Sequence, residues 1–187
     1  MRIIAGEKKG RKLISPKDKS VRPTEDRIKE SLFNILSNRI HNAVVLDLFS
    51  GSGSIGCEAL SRGAKTVYFN ELRYENYKVI QSNIKGLDFE NFSLYRGDFR
   101  STLKKIAGTI RFDIVFIDPP YGMDLEYEAL SYIADYSLLN KNALLVIESD
   151  KYLKETPGYK LIDERRYGST YLFFLVEEVL DDSNLSG

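Results

Sequence analysis

The chain has 187 residues, 43% apolar and 29% charged, a length and balance that suit one globular domain with a sizeable core and argue against disorder. Its zero net charge hides an asymmetry: positions 1–22 hold eight Lys or Arg against Glu7 and Asp18, a net of +6, so the remainder carries −6. No membrane span or signal peptide is expected, a lone Cys57 fits a reducing cytoplasm without a disulfide framework, and a lone His41 leaves no histidine-rich metal site and no basis for a Ser-His-Asp triad.

Met1 to Ser15 carries two alternating runs, RIIAG and RKLIS, around a Gly6-to-Gly10 turn, which predicts a small β-hairpin ended by Pro16. Lys17 to Arg22 follows as a polar, basic linker. A basic arm on an acidic body is the footprint of contacts to nucleic-acid phosphates, and Arg2, Lys8, Lys9, Arg11, Lys12 and Arg22 are the candidates. Taken alone, such a segment reads equally well as a solvated charged tail. Pro23 and Thr24 open a helix, with Thr24 as N-cap and Glu25 and Asp26 favouring the positive end of its dipole. Ile28, Leu32, Ile35, Leu36 and Ile40 repeat at helical spacing, so one face meets the core and the exposed side carries Arg27, with Lys29 beside it. Arg27 joins the candidate RNA contacts. His41 lies in the loop that follows and is assigned no chemistry.

The most informative stretch runs from Val44 to Glu71. Val44, Val45, Leu46 and Leu48 form an apolar run of the kind buried on both faces of a parallel sheet. Gly51, Gly53 and Gly56 spell G-x-G-x-x-G, which lets the backbone turn tightly and lets a ligand approach it. Ser54 to Arg62 continues as a helix with Gly63 at its C′ position, and Thr66 to Asn70 returns as a strand. Glu71 ends the unit, twenty residues beyond Gly51, where a Rossmann-type fold places the acid that accepts hydrogen bonds from a ribose diol. Asp47 refines this reading. It interrupts the first strand near its carboxyl end, where a pyrophosphate would meet an unwelcome negative charge and a cationic amino-acid tail would meet a partner. S-adenosylmethionine has such a tail; NAD does not.

Arg73 to Lys85 reads as a helix ended by Gly86, and Phe92 to Tyr95 as a third strand. Asp98 then falls at a strand's carboxyl end, where it can accept from an adenine N6 amine, cap a helix starting near Phe99, or do both. Phe112 to Ile117 is a fourth buried strand that runs into Asp118-Pro119-Pro120-Tyr121. Two prolines cannot continue a sheet ladder, so the chain leaves the sheet with Tyr121 presented beyond its edge. Asp124 to Asp135 reads as a helix, Ala143 to Ile147 as a fifth strand and Lys151 to Glu155 as a connector. Tyr159 to Arg165 and Thr170 to Glu177 form a closing hairpin about Gly168, and the residues from Asp181 form a polar tail. Alternating strands and helices imply an α/β sheet with an antiparallel strand at its end. Ligands of such sheets sit outside the carboxyl ends of the strands, where Asp47, Gly51, Glu71, Asp98 and Asp118 converge.

A D-P-P-Y turn beside such a site resembles the catalytic motif of methyltransferases that act on exocyclic amines of nucleobases. The lone pair of such an amine is delocalised into the ring. Hydrogen bonds from it to the Asp118 carboxylate and a main-chain carbonyl near Pro119 draw the nitrogen toward a tetrahedral shape, ready for in-line attack from about 3–3.5 Å. Asp118 can stabilise the positive charge that builds on nitrogen, and Tyr121 can stack on the unstacked base. MRIIAGEKKGRKL, RPTEDRIKESLFNIL, DLFSGSGSIGCEALSRGA, Asn70-Glu71 and FDIVFIDPPY together resemble the RsmD-type 16S rRNA guanine-N2 methyltransferases of class I, over nearly the whole chain. Ser50 and Ser54 stand where such sequences often have Ala, and Tyr121 where some have Phe.

The resemblance implies a Rossmann-like seven-stranded sheet with helices on both faces and an antiparallel last strand, preceded by the hairpin and helix extension. It divides the single domain into a basic extension over 1–41, a catalytic core over 42–180 and a tail over 181–187. It further implies that S-adenosylmethionine is held by Asp47, Phe49, Gly51, Gly53, Glu71, Leu72, Asp98 and Phe99 and that Asp118, Pro119, Pro120 and Tyr121 form the catalytic turn; with a single histidine, no metal site is expected. The substrate would be one guanine of small-subunit rRNA, free or carrying ribosomal proteins, modified in the cytoplasm by a monomer. The alternatives are another nucleic-acid amine methyltransferase, including a DNA adenine enzyme, and a protein glutamine amide methyltransferase, which the basic arm disfavours. An NAD-dependent oxidoreductase leaves Asp47 and D-P-P-Y unexplained, and a non-catalytic RNA-binding module leaves a cofactor site idle.

Overall fold

A computed structural model describes residues 1–15 and 23–178. The linker expected over 17–22, Arg22 included, and the tail from 181 lie outside the described residues. Seven strands form one sheet in the order β3-β2-β1-β4-β5-β7-β6. They are β1 (Val44–Asp47), β2 (Thr66–Glu71), β3 (Phe92–Arg96), β4 (Phe112–Ile117), β5 (Leu139–Ser149), β6 (Tyr159–Tyr167) and β7 (Thr170–Glu177). β1 to β5 pair in parallel, and β7 lies between β5 and β6, antiparallel to both. The order reverses beside β1, between β2 and β4, which opens the crevice expected of such folds.

Strand alternation splits the core in two. One face carries Val45, Val67, Phe69, Ile114, Phe116, Val146, Leu172 and Phe174 beneath α1 (Pro23–Leu36), α2 (Ser54–Ser61), α3 (Tyr74–Leu87) and the N-terminal residues Ile3 and Leu13. The other carries Leu46, Val115, Ile117, Leu145, Ile147, Phe173 and Leu175 beneath α4 (Phe99–Ile106) and α5 (Leu125–Asp135). Because β1 is covered on both faces, its apolar residues run without alternation. Among the described residues no helix is long and apolar enough to cross a membrane.

Several local expectations are corrected. The N-terminal hairpin holds a single antiparallel bridge, Arg2 to Lys12, in place of two strands. The Ile4 and Ala5 amides donate to the Glu58 carboxylate at 2.8 and 3.0 Å, so these donors are taken from any strand ladder. Helix α1 begins at Pro23, which puts Thr24 inside the described helix instead of before it. Lys29 is buried, 3% exposed, because its ammonium donates to the Arg2 carbonyl and Ser54 Oγ beside Glu58. Helix α3 continues through Gly86 to Leu87 and is closed by Asp88 in the left-handed region, at φ 55°. Strand β5 starts four residues before Ala143. Its first part, with a register shift opposite Phe112 and Ile114, is polar at Asn140, Lys141 and Asn142 and carries no strand-like apolar signal.

Candidate active site

The carboxyl ends of β1, β2, β4 and β5 and the start of β7 share one edge of the sheet, since Ser149 of β5 pairs with Tyr171 of β7. A cleft of about 430 Å³, solvent mouth included, opens there, lined by Asp47, Phe49, Ser50, Asp118, Glu148 and Leu172 among others. The acid of the glycine-loop strand and the acid before the double proline therefore face one cavity.

Asp47 is 4% exposed. The Gly56 amide, in the first turn of α2, donates to its carboxylate at 3.0 Å, and Ser50 Oγ donates to its carbonyl at 2.7 Å. Burial pushes the Asp47 carboxyl up to about 7, with the charge of Glu71 adding to the rise and the Gly56 amide opposing it. The glycine loop is tied to β2 by Glu71, which accepts from the Gly51 and Arg73 amides at 2.8 and 2.7 Å. Each Glu71 oxygen keeps a second lone pair with which it could accept from a ligand hydroxyl. Asn70 donates to the Leu48 carbonyl at 3.1 Å and accepts from Thr102 at 2.6 Å, which joins the loop to α4.

The three glycines do different work. Gly51 has φ 55° and, around a hypothetical Cβ, only the Phe49 carbonyl at 4.0 Å, so its outer side is open. Gly53 is left-handed and close to Ile80, while a Cβ on Gly56 would meet the Phe69 ring at 2.1 Å. Gly56 thus serves the packing of α2 on the sheet, whereas the sequence pattern suggested a part in ligand approach. Phe49 and Phe99 lie with ring centroids 5.1 Å apart, and Leu72, 65% exposed, follows Glu71 at the rim. Asp98 is the N-cap of α4, accepting from the Arg100 amide at 2.9 Å and pairing with its guanidinium at 2.7 Å; Arg100 also pairs with Glu128.

Asp118 and Pro120 are exposed, Pro119 is buried, and Tyr121 is 51% exposed at the edge. The Tyr121 hydroxyl donates to Glu148 at 3.5 Å, and the Thr170 side chain lies beside it. Burial, then the charges of Glu148 and Asp118, push the Tyr121 phenol up to about 12, so it stays a neutral hydroxyl. The basic candidates divide. Lys8 and Arg11 lie by the carboxyl ends of α2 and α3: the Lys8 amide donates to Ser61 Oγ, and the Arg11 guanidinium donates to the Gly86 carbonyl at 2.7 Å. Those helix ends lead into β2 and β3 at the sheet edge opposite the cleft. Lys9 sits in the same turn, donating its amide to the Gly6 carbonyl. Lys12 and Arg2 bridge on the α2 side, and Arg27 is exposed on α1, whose Leu32 lines the cleft.

The family described as "conserved hypothetical protein 95" matches residues 1–176. The Ribosomal RNA small subunit methyltransferase D of Haemophilus influenzae is 39% identical over 172 residues, 90% of this chain and 89% of its own. The chain belongs to the ribosomal RNA small subunit methyltransferase D family. The solved structure of an Escherichia coli protein named as a methyltransferase superposes with a TM-score of 0.85 at 32% identity, over 95% of this chain and 98% of that one. A methyltransferase complexed with S-adenosylhomocysteine, 15% identical, shares the fold alone, at a TM-score of 0.64 over 83% of this chain and 50% of its own.

In this family member, Glu148 is the charged residue of the cleft that sequence reasoning missed, and Thr170, beside Tyr121, went unnoticed with it. Glu148 ends the inward series Leu144, Val146, Glu148 of β5, and a carboxylate in that register was the one available signal. Ser50, Asn70 and Thr102 form the support behind the loop. Their pairing joins residues 20 to 32 positions apart in sequence, which spacing alone does not reveal.

Proposed function

We propose that this chain is an S-adenosylmethionine-dependent methyltransferase that modifies the exocyclic N2 amine of a guanine in small-subunit rRNA. The observation that carries the reading is the shared cleft of Asp47 and Asp118. The residues fit the cofactor. A buried carboxyl with its pKa raised toward neutrality is a site for a cationic group, and the open side of Gly51 leaves room beside it. Asp47 would hold the amino-acid end, Glu71 and the Gly51–Gly53 loop the ribose, and Phe49, Leu72, Asp98 and Phe99 the adenine. When bound, S-adenosylmethionine supplies a sulfonium methyl that a nitrogen lone pair can take as sulfur leaves as a neutral thioether. Asp118 accepts from the amine, stabilises the charge that develops on nitrogen, and can receive the departing proton on its carboxylate oxygen. The double proline fixes the path of the turn, and Tyr121 offers a face to the base.

The rRNA substrate follows the name of the relatives and is supported by the exposed basic side chains of Arg2, Lys9, Arg11, Lys12 and Arg27. We further propose that residues 1–187 act as one catalytic unit and as a monomer in the cytoplasm, on rRNA free or carrying ribosomal proteins. The test is transfer of labelled methyl to small-subunit rRNA. Asp118→Ala is expected to lower the rate by about a hundredfold or more while cofactor affinity, read by calorimetry, is kept. Full activity of that variant would remove Asp118 from the chemistry.

A further inference from the structure

Glu148 stands where two cavities meet. It lines the main cleft with Asp47 and Asp118, and it lines a second, shallow hollow of about 180 Å³, open solvent included, with Pro119, Pro120, Tyr121 and Ser149. Its place is set by rigid structure: it pairs with Leu172 of β7 in the middle of the sheet's carboxyl edge, on the same face as Val146. The catalytic turn of Asp118 to Tyr121 arches beside it, with the Tyr121 hydroxyl 3.5 Å from its Oε1. A base lying against Tyr121, with its amine at Asp118, can turn the adjoining part of its Watson–Crick edge toward this carboxylate, since both acids line the same cleft.

The chemistry of that edge separates the bases. Asp118 and Glu148, when ionised, only accept hydrogen bonds. Adenine carries its N6 amine beside N1, and cytosine its N4 amine beside N3; both of those ring nitrogens present a lone pair. Guanine carries its N2 amine beside N1–H, a second donor. Among the three amino-bearing bases, guanine alone offers donors at both positions.

Resting on the methyltransferase reading above, we propose that Glu148 is the residue that selects guanine, accepting from N1–H while Asp118 accepts from the N2 amine. A carboxylate has about four acceptor positions, so Glu148 can keep the partners it has in the fold, the Tyr121 hydroxyl among them, and still accept from the base. Adenine or cytosine would set the Glu148 carboxylate against a lone pair, the kind of mismatch that rejects an analogue more strongly than a missing methylene does.

The inference is tested with small-subunit rRNA whose acceptor guanosine, mapped with the wild-type protein, is replaced by 2-aminopurine riboside. That base keeps the C2 amine, lacks O6, and exchanges N1–H for a lone pair, so the test is read from how the Glu148 variants change the ratio. Wild type is expected to prefer guanine to 2-aminopurine strongly. In Glu148→Gln, whose amide can donate to N1, the preference should shrink by roughly tenfold or more. Glu148→Asp, which keeps the carboxylate, should retain the preference at a lower rate. Melting temperatures of both variants are measured alongside, and a purely structural role would lower both substrates together and leave their ratio unchanged. An unchanged ratio in Glu148→Gln, or equal use of the two bases by wild type, overturns the role of Glu148 and leaves the rRNA methyltransferase reading standing. Failure of wild type to methylate the guanine-containing rRNA overturns that reading itself.

Discussion

Asp47 is the residue whose chemistry depends most on its surroundings. Four per cent exposed, with its carboxyl pushed up to about 7, it is an acid that folding holds partly protonated at neutral pH. The sign of its effect on stability follows. The folded chain binds this proton more tightly than the unfolded one, so the contribution is whole below the ordinary value of 3.8 and is lost as pH rises through about 7. Asp47→Asn preserves the shape and can still accept from the Gly56 amide. Without added cofactor it is expected to melt above wild type at pH 8 and to lose this part of the pH dependence, while its affinity for S-adenosylmethionine falls. Superimposable melting profiles from pH 4 to 8 would show that the group carries no such linkage. Asp47 was legible in the sequence because an acid interrupting an apolar strand is conspicuous. Glu148 was not, because an acid at a strand end is ordinary until a folded neighbour gives it a cleft to face.

At the scale of elements, α2 is held by a charged clamp that no local pattern announces. Glu58, fully buried, accepts from the Ile4 and Ala5 amides and from Arg62 Nε at 2.8 Å, with the Lys29 ammonium 3.6 Å away. Burial lowers the Lys29 pKa, and the Glu58 charge works against that shift. The cluster binds the hairpin and α1 to the helix that starts at the glycine loop. Glu58→Ala would leave two amides without their acceptor and a buried ammonium without its counter-charge, and is expected to cost about 3–5 kcal/mol in chemical denaturation. A loss under about 1 kcal/mol would mean that water replaces the carboxylate there. Sequence periodicity placed Lys29 beside Arg27 on the exposed side because it registers hydrophobicity along one helix and cannot register a partner 29 residues on.

Across the whole molecule, basic residues and cleft are only partly neighbours. Lys8, Lys9 and Arg11 gather near the carboxyl ends of α2 and α3, at the edge opposite the Asp118–Tyr121 turn, while Arg27 lies on the helix that borders the cleft. A long RNA would have to follow the α2 side of the protein to meet both. Replacing Lys8, Lys9 and Arg11 with Ala should weaken rRNA binding at low salt and reduce the slope of log affinity against log salt by about one for each phosphate no longer neutralised. Single-turnover rate at saturating RNA should hardly change. Binding with an unaltered salt slope would remove this turn from the RNA footprint.

The sequence alone determined the order of strands and helices, the glycine loop, the acids at the strand ends and the D-P-P-Y turn. Each of these is written in short-range pattern: apolar runs, proline and glycine positions, and an acid at a set distance from a loop. Tertiary structure decided which of these acids face one another, that Gly56 answers to Phe69, that Lys29 and Glu58 meet in the interior, and that β7 enters between β5 and β6 to bring Thr170 beside Tyr121. The physical reason is that burial and pairing are properties of three-dimensional neighbours. A side chain acquires its charge state and its partners when segments distant in sequence close around it.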